Sequence, residues 1–389
     1  MSIRSSQREV GMADETNVLR EPRPVMRPGA AADLLLSAYG ECGIDVRELG
    51  GERDRNFMLR LVSGGCVVLK ISNSAESRAV LEMENAAMAH VARVDPELPI
   101  PHVCDALDGE KIVSFCADDG RTHMARLITV VPGQHLQGST ISADLASRIG
   151  QCCARIQVAL QGFFHPAAGR THDWDVRECG SLAVRSALIT DGDRKRLVVR
   201  AFDRIKPALS QLPALPAHIQ HNDVTLTNIL TSDDQISGLI DFGDIQHTAA
   251  VCDLAASLTS VLRSVHHQSW NQIVCVAAGF IDGYQRVRPM EPAEAVVIGE
   301  LLIARLLTTV MISAKRSLDH GENVDYIEQY DDASWALLEQ LMAIEPGAMQ
   351  QLWARLCGTS RVSQQLPDVA ARRAKSMGGR SHRSPMPNH

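Results

Sequence analysis

His221-Asn222-Asp223-Val224-Thr225-Leu226-Thr227-Asn228 and, further on, Leu239-Ile240-Asp241-Phe242-Gly243 carry the chemistry of this chain. Phosphoryl transfer asks little covalent help of a protein; it needs metal ions held against phosphates and a hydroxyl aimed in line. An aspartate must take the hydroxyl proton, while an asparagine and a second aspartate hold magnesium. The asparagine belongs five residues after the base, and Asp223 to Asn228 is five. The second aspartate should end an apolar strand, so that its carboxylate emerges at a rim, and Leu239-Ile240-Asp241 does so. Asp223 is therefore the candidate catalytic residue, with Asn228 and Asp241 the candidate metal ligands.

Outward from this stretch, the chain divides by pattern. Residues 1–28 are polar and aperiodic, without the apolar run of a signal peptide, and read as a disordered leader. From 29 to 131 the chain is β-rich. Asn56 to Leu61 alternates as a strand, Gly64-Gly65 turns, and Cys66 to Ile71 returns as its partner. Val80, Met83, Ala87, Val91 and Val94 recur at helical spacing. A second hairpin is expected from Ile112–Phe115 and Met124–Val131, turning at Asp118-Asp119-Gly120. After the break at Pro132-Gly133, residues 132–358 read as helices at about 144–161, 193–211, 251–265, 270–287, 293–317, 331–344 and 348–357. One short hairpin near 229–240, turning at Asp233-Asp234, interrupts them. Residues 359–389 hold Arg361, Arg372, Arg373, Lys375, Arg380 and Arg383 against Asp368 alone, a basic disordered tail. A small sheet with one key helix, a hinge and a helical lobe make an α+β two-lobed plan.

Such a plan needs a lysine from the small sheet on the phosphates, steadied by a helix glutamate. Val67-Val68-Leu69-Lys70 ends an apolar strand in lysine. Glu84 shares the buried face of its helix with Val80 and Met88, where a carboxylate is costly unless paired. Lys70 is its expected partner, and Glu82 is expected in solvent. Leu49-Gly50-Gly51-Glu52-Arg53 precedes the first strand, with Gly51 the candidate for close approach to nucleotide. Neither G-x-G-x-x-G nor G-x-x-x-x-G-K-[ST] occurs there.

The motifs around Asp223 and Asp241, with Asp253 in Cys252-Asp253-Leu254-Ala255, resemble the aminoglycoside phosphotransferase and choline kinase group, relatives of the protein kinases. The resemblance spans about residues 30 to 355. It implies Asp223 as base, Asn228 and Asp241 on magnesium, and ATP or GTP as donor. Asp253 is expected to cap the helix it opens and to brace the catalytic loop. Asn222, where most relatives have glycine, and Gly238 to Asp244 look similar to the hydroxylysine kinase branch. That branch implies a hydroxyl on a small amine or amino acid. Asp244 and Arg305 are then candidate contacts for the substrate's ammonium and carboxylate; for Arg305, internal pairing with Glu300 or another acid is the alternative. Trp174 and Asp175 fall in the connection near the cleft.

Only eleven residues separate Asp241 from Asp253, too few for a peptide-docking activation segment, so a small-molecule substrate is expected. The 389 residues carry a net charge of −7, which offers nothing to nucleic acid. Ala295 to Ile312 is apolar but contains Gly299, Glu300 and Arg305, and reads as a core helix rather than a membrane span. Ten scattered cysteines without a CxxC pair fit buried thiols in a cytoplasmic enzyme. The rival readings are antibiotic phosphorylation, which demands an acidic pocket, and an inactive nucleotide-binding regulator, which has no need of all of Asp223, Asn228, Asp241 and Lys70.

Overall fold

In the computed structural model, residues 21–51, 53–233, 235–319 and 331–358 are described. Most of the expected leader, the basic tail from 359 and Asp234 of the hairpin turn lie outside the described residues.

Five antiparallel strands build the N-terminal sheet: β1 (Gly43–Leu49), β2 (Arg55–Leu61), β3 (Cys66–Ile71), β4 (Val113–Cys116) and β5 (Thr122–Thr129), in the order β1-β2-β3-β5-β4. Phe57, Leu59, Leu69 and Ile71 are fully buried, as their alternation requires. The β2–β3 turn uses Gly64 and Gly65 at φ +100° and +82°, a region that glycine enters at no steric cost. A helix before the sheet, α1 (Pro28–Tyr39), is an addition to the one expected, α2 (Arg78–Val94). Proline at its start and Gly40 in left-handed conformation at its end bound α1, and Ala31, Leu35 and Tyr39 pack on the sheet. Residues 21–27 differ from a disordered leader: Met26 is buried in this core and Arg27 pairs with Asp118.

The rest is helical, as the periodicity predicts: α3 (Ala143–Ala159), α4 (Gly192–Gln211), α5 (Ala250–Ser264), α6 (Trp270–Gln285), α7 (Pro292–Asp319), α8 (Asp331–Met342) and α9 (Pro346–Gly358). Between α3 and α4 run two 3₁₀ segments, Pro166–Gly169 and Val176–Leu188. Glycines let α3 and α6 approach closely, since a Cβ on Gly283 would overlap the Ser147 carbonyl. Helix α7 is long and apolar enough to cross a membrane, yet 94% of that stretch is buried inside the fold, as a core helix should be. Cys152, Cys153, Cys179 and Cys252 are buried thiols, but Cys42, Cys66, Cys116 and Cys275 are exposed, so burial holds for only part of the set.

An α+β, two-lobed architecture results, but the boundary near residue 131 is not a break in packing. Met83, Ala87, Met88 and Val91 of α2 belong to the same core cluster as α3 and α5, so α2 keys the small lobe into the large one. The described residues up to Gly358 form one compact unit.

Candidate active site

Two antiparallel ribbons hold the motif loops. β7 (Ala217–Gln220) pairs with β10 (Gln246–Ala249), and β8 (Ile229–Ser232) pairs with β9 (Gln235–Leu239). The segment 221–228 leaves β7 and enters β8, while 240–245 leaves β9 and enters β10, so each loop is pinned at both ends beside the other. β6 (Gln134–His135) adds an edge to β8. The Ile240 amide donates to the Asn228 carbonyl at 2.9 Å and ties the loops directly.

Both loops carry left-handed residues: Asn222 at φ +63° and Asp241 at φ +64°. Outside glycine such angles are uncommon, and asparagine and aspartate tolerate them best. Asn222 meets that demand without a glycine. Its side-chain nitrogen also donates to the Gln220 and Asp244 carbonyls at 3.3 and 3.2 Å, bridging the loops. His221 is buried with its ring edge-on to Phe242, centroids 4.7 Å apart. Burial pushes its imidazole down to about 4, so it is neutral and Nδ1 accepts from the Asp223 amide at 3.3 Å. Asp253 is buried in the first turn of α5, where it accepts from the Gln157 side chain at 3.1 Å and from the Asn222 backbone. The helix is entered at Ala249 without a side-chain cap, so Asp253 is a brace and not a cap.

Asp223, Asn228, Asp241 and Lys70 come together. The Asn228 amide nitrogen donates to the Asp223 carboxylate at 2.5 Å and to its backbone carbonyl at 3.0 Å. Burial and the nearby charge of Asp244 push the Asp223 carboxyl well above the ordinary carboxylate range, against the pull of Arg305. Lys70 lies 3.0 Å from Asp241 across the lobes. That ammonium holds Asp241 below its ordinary range.

Glu84 is where the structure departs from expectation. It is buried on the inner face of α2 and Glu82 is outside against Arg78, so the helix register is as read. Its partner is Arg126, however, at 2.6 Å, and not Lys70. Arg126 stands directly opposite Lys70 in the β3–β5 ladder, so both cations face α2. The planar guanidinium also reaches the Asn85 side chain at 3.0 Å, a fork that an ammonium does not match. Lys70 is left to Asp241.

The remaining candidates are also placed. Gly51 lies in the β1–β2 turn, where a Cβ would come within 2.7 Å of the Asp54 carbonyl, so its small size closes the turn itself. Asp244 is buried beside Asp223 and paired with Arg53 at 2.7 Å. Burial alone would raise its carboxyl, but Arg53, His172, Arg170 and Arg305 outweigh it and hold Asp244 far below its usual range. Arg305 does not pair with Glu300, which Arg204 takes at 3.4 Å. It lies over the Trp174 ring, 4.9 Å from the centroid, donates to the Trp174 carbonyl at 2.9 Å, and approaches Asp223 to 3.9 Å. Asp175 is engaged by Arg177.

Four residues here escaped the sequence reading: Arg53, Arg126, Arg170 and His172. Arg126 had a signal, as a lone arginine between buried Ala125 and Leu127. Arg170 donates to the Gly243 and Ile245 carbonyls of the metal loop, and no pattern in the sequence marks it. A groove of about 540 Å³ lined by Arg200, Arg204, Glu300 and Glu345 contains none of these groups, so the carboxylates and not that hollow define the site.

Magnesium suits these ligands. Asn228 spends its amide nitrogen on Asp223, which leaves its hard carbonyl oxygen, and Asp241 offers a carboxylate 49% exposed. Among the described residues no group of three or more His, Cys, Asp or Glu is arranged to hold a metal. A cation bound by one or two side chains and completed by phosphate and water fits magnesium's usage.

Comparison with known proteins agrees with this geometry. The family model described as "Phosphotransferase enzyme family" matches residues 45–290. Hydroxylysine kinase of Mus musculus is 23% identical over 357 residues, covering 85% of this chain and 93% of its own. Among solved structures, a microcompartment-associated aminopropanol kinase superposes with a TM-score of 0.63 at 19% identity, covering 84% of this chain and 98% of that one. An amicoumacin kinase in complex with AMP-PNP and Ca2+ gives 0.61 at 16% identity, covering 77% and 92%. With its paired loops, inter-lobe lysine and a family match over more than half its length, the chain belongs to the phosphotransferase enzyme family, as a small-molecule kinase acting on a hydroxyl group.

Proposed function

We propose that this kinase transfers the γ-phosphoryl group of Mg–ATP or Mg–GTP to the hydroxyl of a small hydroxy amino acid or hydroxylated amine, with 5-hydroxylysine the leading candidate. The observation that carries this reading is one cation and one anion beside one base: Arg305 approaches Asp223 to 3.9 Å, and the Asp244 charge acts on the same carboxyl. Asp223 accepts the hydroxyl proton, and its raised carboxyl is the better matched to that work near neutral pH. Asn228 and Asp241 would hold the magnesium, which when bound neutralises phosphate charge. Lys70 lies within reach of the same phosphates, and Asn228 keeps Asp223 aimed. Arg305 faces the substrate carboxylate and Asp244 its ammonium. Remote charge contacts of this kind supply positioning at the reacting oxygen. The buried core helix α7 and a nucleotide donor fit a soluble, cytoplasmic enzyme.

Antibiotic phosphorylation is the poorer reading. Arg53, Arg170 and Arg305 all act on Asp244, and a polycationic aminoglycoside would enter against them.

Two outcomes are expected. Asp241→Ala loses magnesium-dependent nucleotide binding together with activity, and titration of Mg–nucleotide by calorimetry checks it; parental affinity in the variant would remove Asp241 from the metal site. In a coupled turnover assay with ATP and GTP in parallel, 5-hydroxylysine is consumed, while derivatives lacking the carboxylate or the α-amine lose about 10² or more in kcat/KM. Turnover of kanamycin-like compounds with none of any hydroxy amino acid sinks the substrate reading.

A further inference from the structure

The charge contacts between the lobes bear on the order in which ligands enter. Arg53, in the β1–β2 turn, reaches across 191 positions to Asp244 at 2.7 Å, with side chains only 20% and 10% exposed. It lies on the metal loop itself: a Cβ on Gly243 would stand 3.1 Å from its terminal nitrogen and 3.2 Å from the Asp241 carboxylate. Its turn is anchored on both sides, by Asp54 accepting from the Asn73 amide at 3.2 Å and by Asn56 donating to the Gly50 carbonyl at 3.3 Å. With the turn held, an exchange of partners falls to the side chain rather than to the loop. Lys70 makes the parallel contact on Asp241 next door.

Two demands now fall on the same groups. Asp244 cannot give a substrate ammonium the carboxylate oxygen it shares with Arg53. Phosphates arriving between Lys70 and Asp241 bring several negative charges beside that guanidinium, and Arg–phosphate pairs are strong, geometrically matched contacts.

We propose that Arg53 is a nucleotide-operated gate: it holds Asp244 until phosphates arrive, exchanges to them, and so releases Asp244 for the substrate's ammonium. Nucleotide then binds first and amine second. The exchange needs only the inter-lobe geometry; the amine half rests on the reading of Asp244 given above, so the experiment separates the two.

The first arm uses Mg2+ with imido analogues of ATP and GTP, no amine, and calorimetry on the full chain. Arg53→Ala weakens analogue binding about tenfold, as loss of a charge-assisted contact should. Asp244→Asn tightens it about fivefold or more, because Arg53 is no longer held away. In Arg53→Ala/Asp244→Asn that gain disappears. A gain that persists in the double variant means plain relief of repulsion, and overturns the gate, as does an unaltered affinity in Arg53→Ala. Circular dichroism of each variant confirms that it is folded.

The second arm titrates 5-hydroxylysine. The parent binds it about tenfold or more tighter with analogue present, and Arg53→Ala binds it equally with and without. Retained coupling in Arg53→Ala overturns the gate while leaving the substrate reading intact. Unchanged amine binding in Asp244→Asn, or none in any protein, overturns the ammonium assignment; the gate is then judged on the first arm.

Discussion

Asp223→Asn is expected to lower kcat by about 10²–10⁴ while Mg–nucleotide still binds, because it removes only the proton acceptor. The substitution is nearly isosteric. The Asn228 contact to the residue-223 backbone carbonyl at 3.0 Å persists, and so does the His221 contact to its amide. What disappears is a carboxylate that burial and two neighbouring aspartates hold above its ordinary range, close to where a base for neutral-pH chemistry belongs. Arg305 then faces an uncharged amide at about the same distance, so the variant tests the base and not the pocket's shape. Single-turnover rates read the chemistry, and calorimetry with a nonhydrolysable analogue reads binding. Near-normal turnover would exclude Asp223 from the mechanism, while absence of turnover in the parent as well would favour the inactive nucleotide-binding regulator.

Stability rather than rate is the larger casualty at Glu84. Glu84→Ala strands the Arg126 guanidinium, 1% exposed, with its best acceptor gone. Breaking a buried pair on one side costs about 3–5 kcal/mol. That is a large share of the 5–15 kcal/mol that an ordinary domain possesses. Urea unfolding followed by circular dichroism reads it directly. Glu84→Ala/Arg126→Met should recover most of the loss, since replacing both partners leaves no buried charge behind. Had Lys70 been the partner, the ammonium would still have Asp241 at 3.0 Å, and the cost would fall on activity. A Glu84→Ala protein as stable as its parent would mean that Arg126 finds another acceptor.

Much of the site is legible because chemistry constrains it locally. Asp223 and Asn228 share one loop, so spacing alone places them together. Asp241 follows two residues after β9, whose partner begins at Ile229, so hairpin logic brings the second carboxylate to the first. The buried face of α2 follows from a period of 3.6, which is why Glu84 inside and Glu82 outside were readable. Strands β2 and β3 alternate cleanly and were readable for the same kind of reason. β1 shows no such alternation, with two exposed residues in a row along an edge strand. β7 and β10 are four residues each, polar, and exist because they pin the loops. In α1, one buried residue per turn (Ala31, Leu35, Tyr39) is too thin a stripe to announce a helix.

The sequence by itself determined the α+β class, the paired loops and the chemical type of each group in them, since periodicity and spacing act within a few residues. Only the tertiary structure decided which charge meets which. Lys70 and Arg126 are neighbours across a ladder, and geometry, not proximity in sequence, assigns Glu84 to one and Asp241 to the other. Arg53 and Asp244 meet only when the two lobes come together, and Arg305 and Asp223 only when α7 packs beside the catalytic loop. Ion pairing depends on a few ångströms and on burial, and neither quantity is set until the chain has folded.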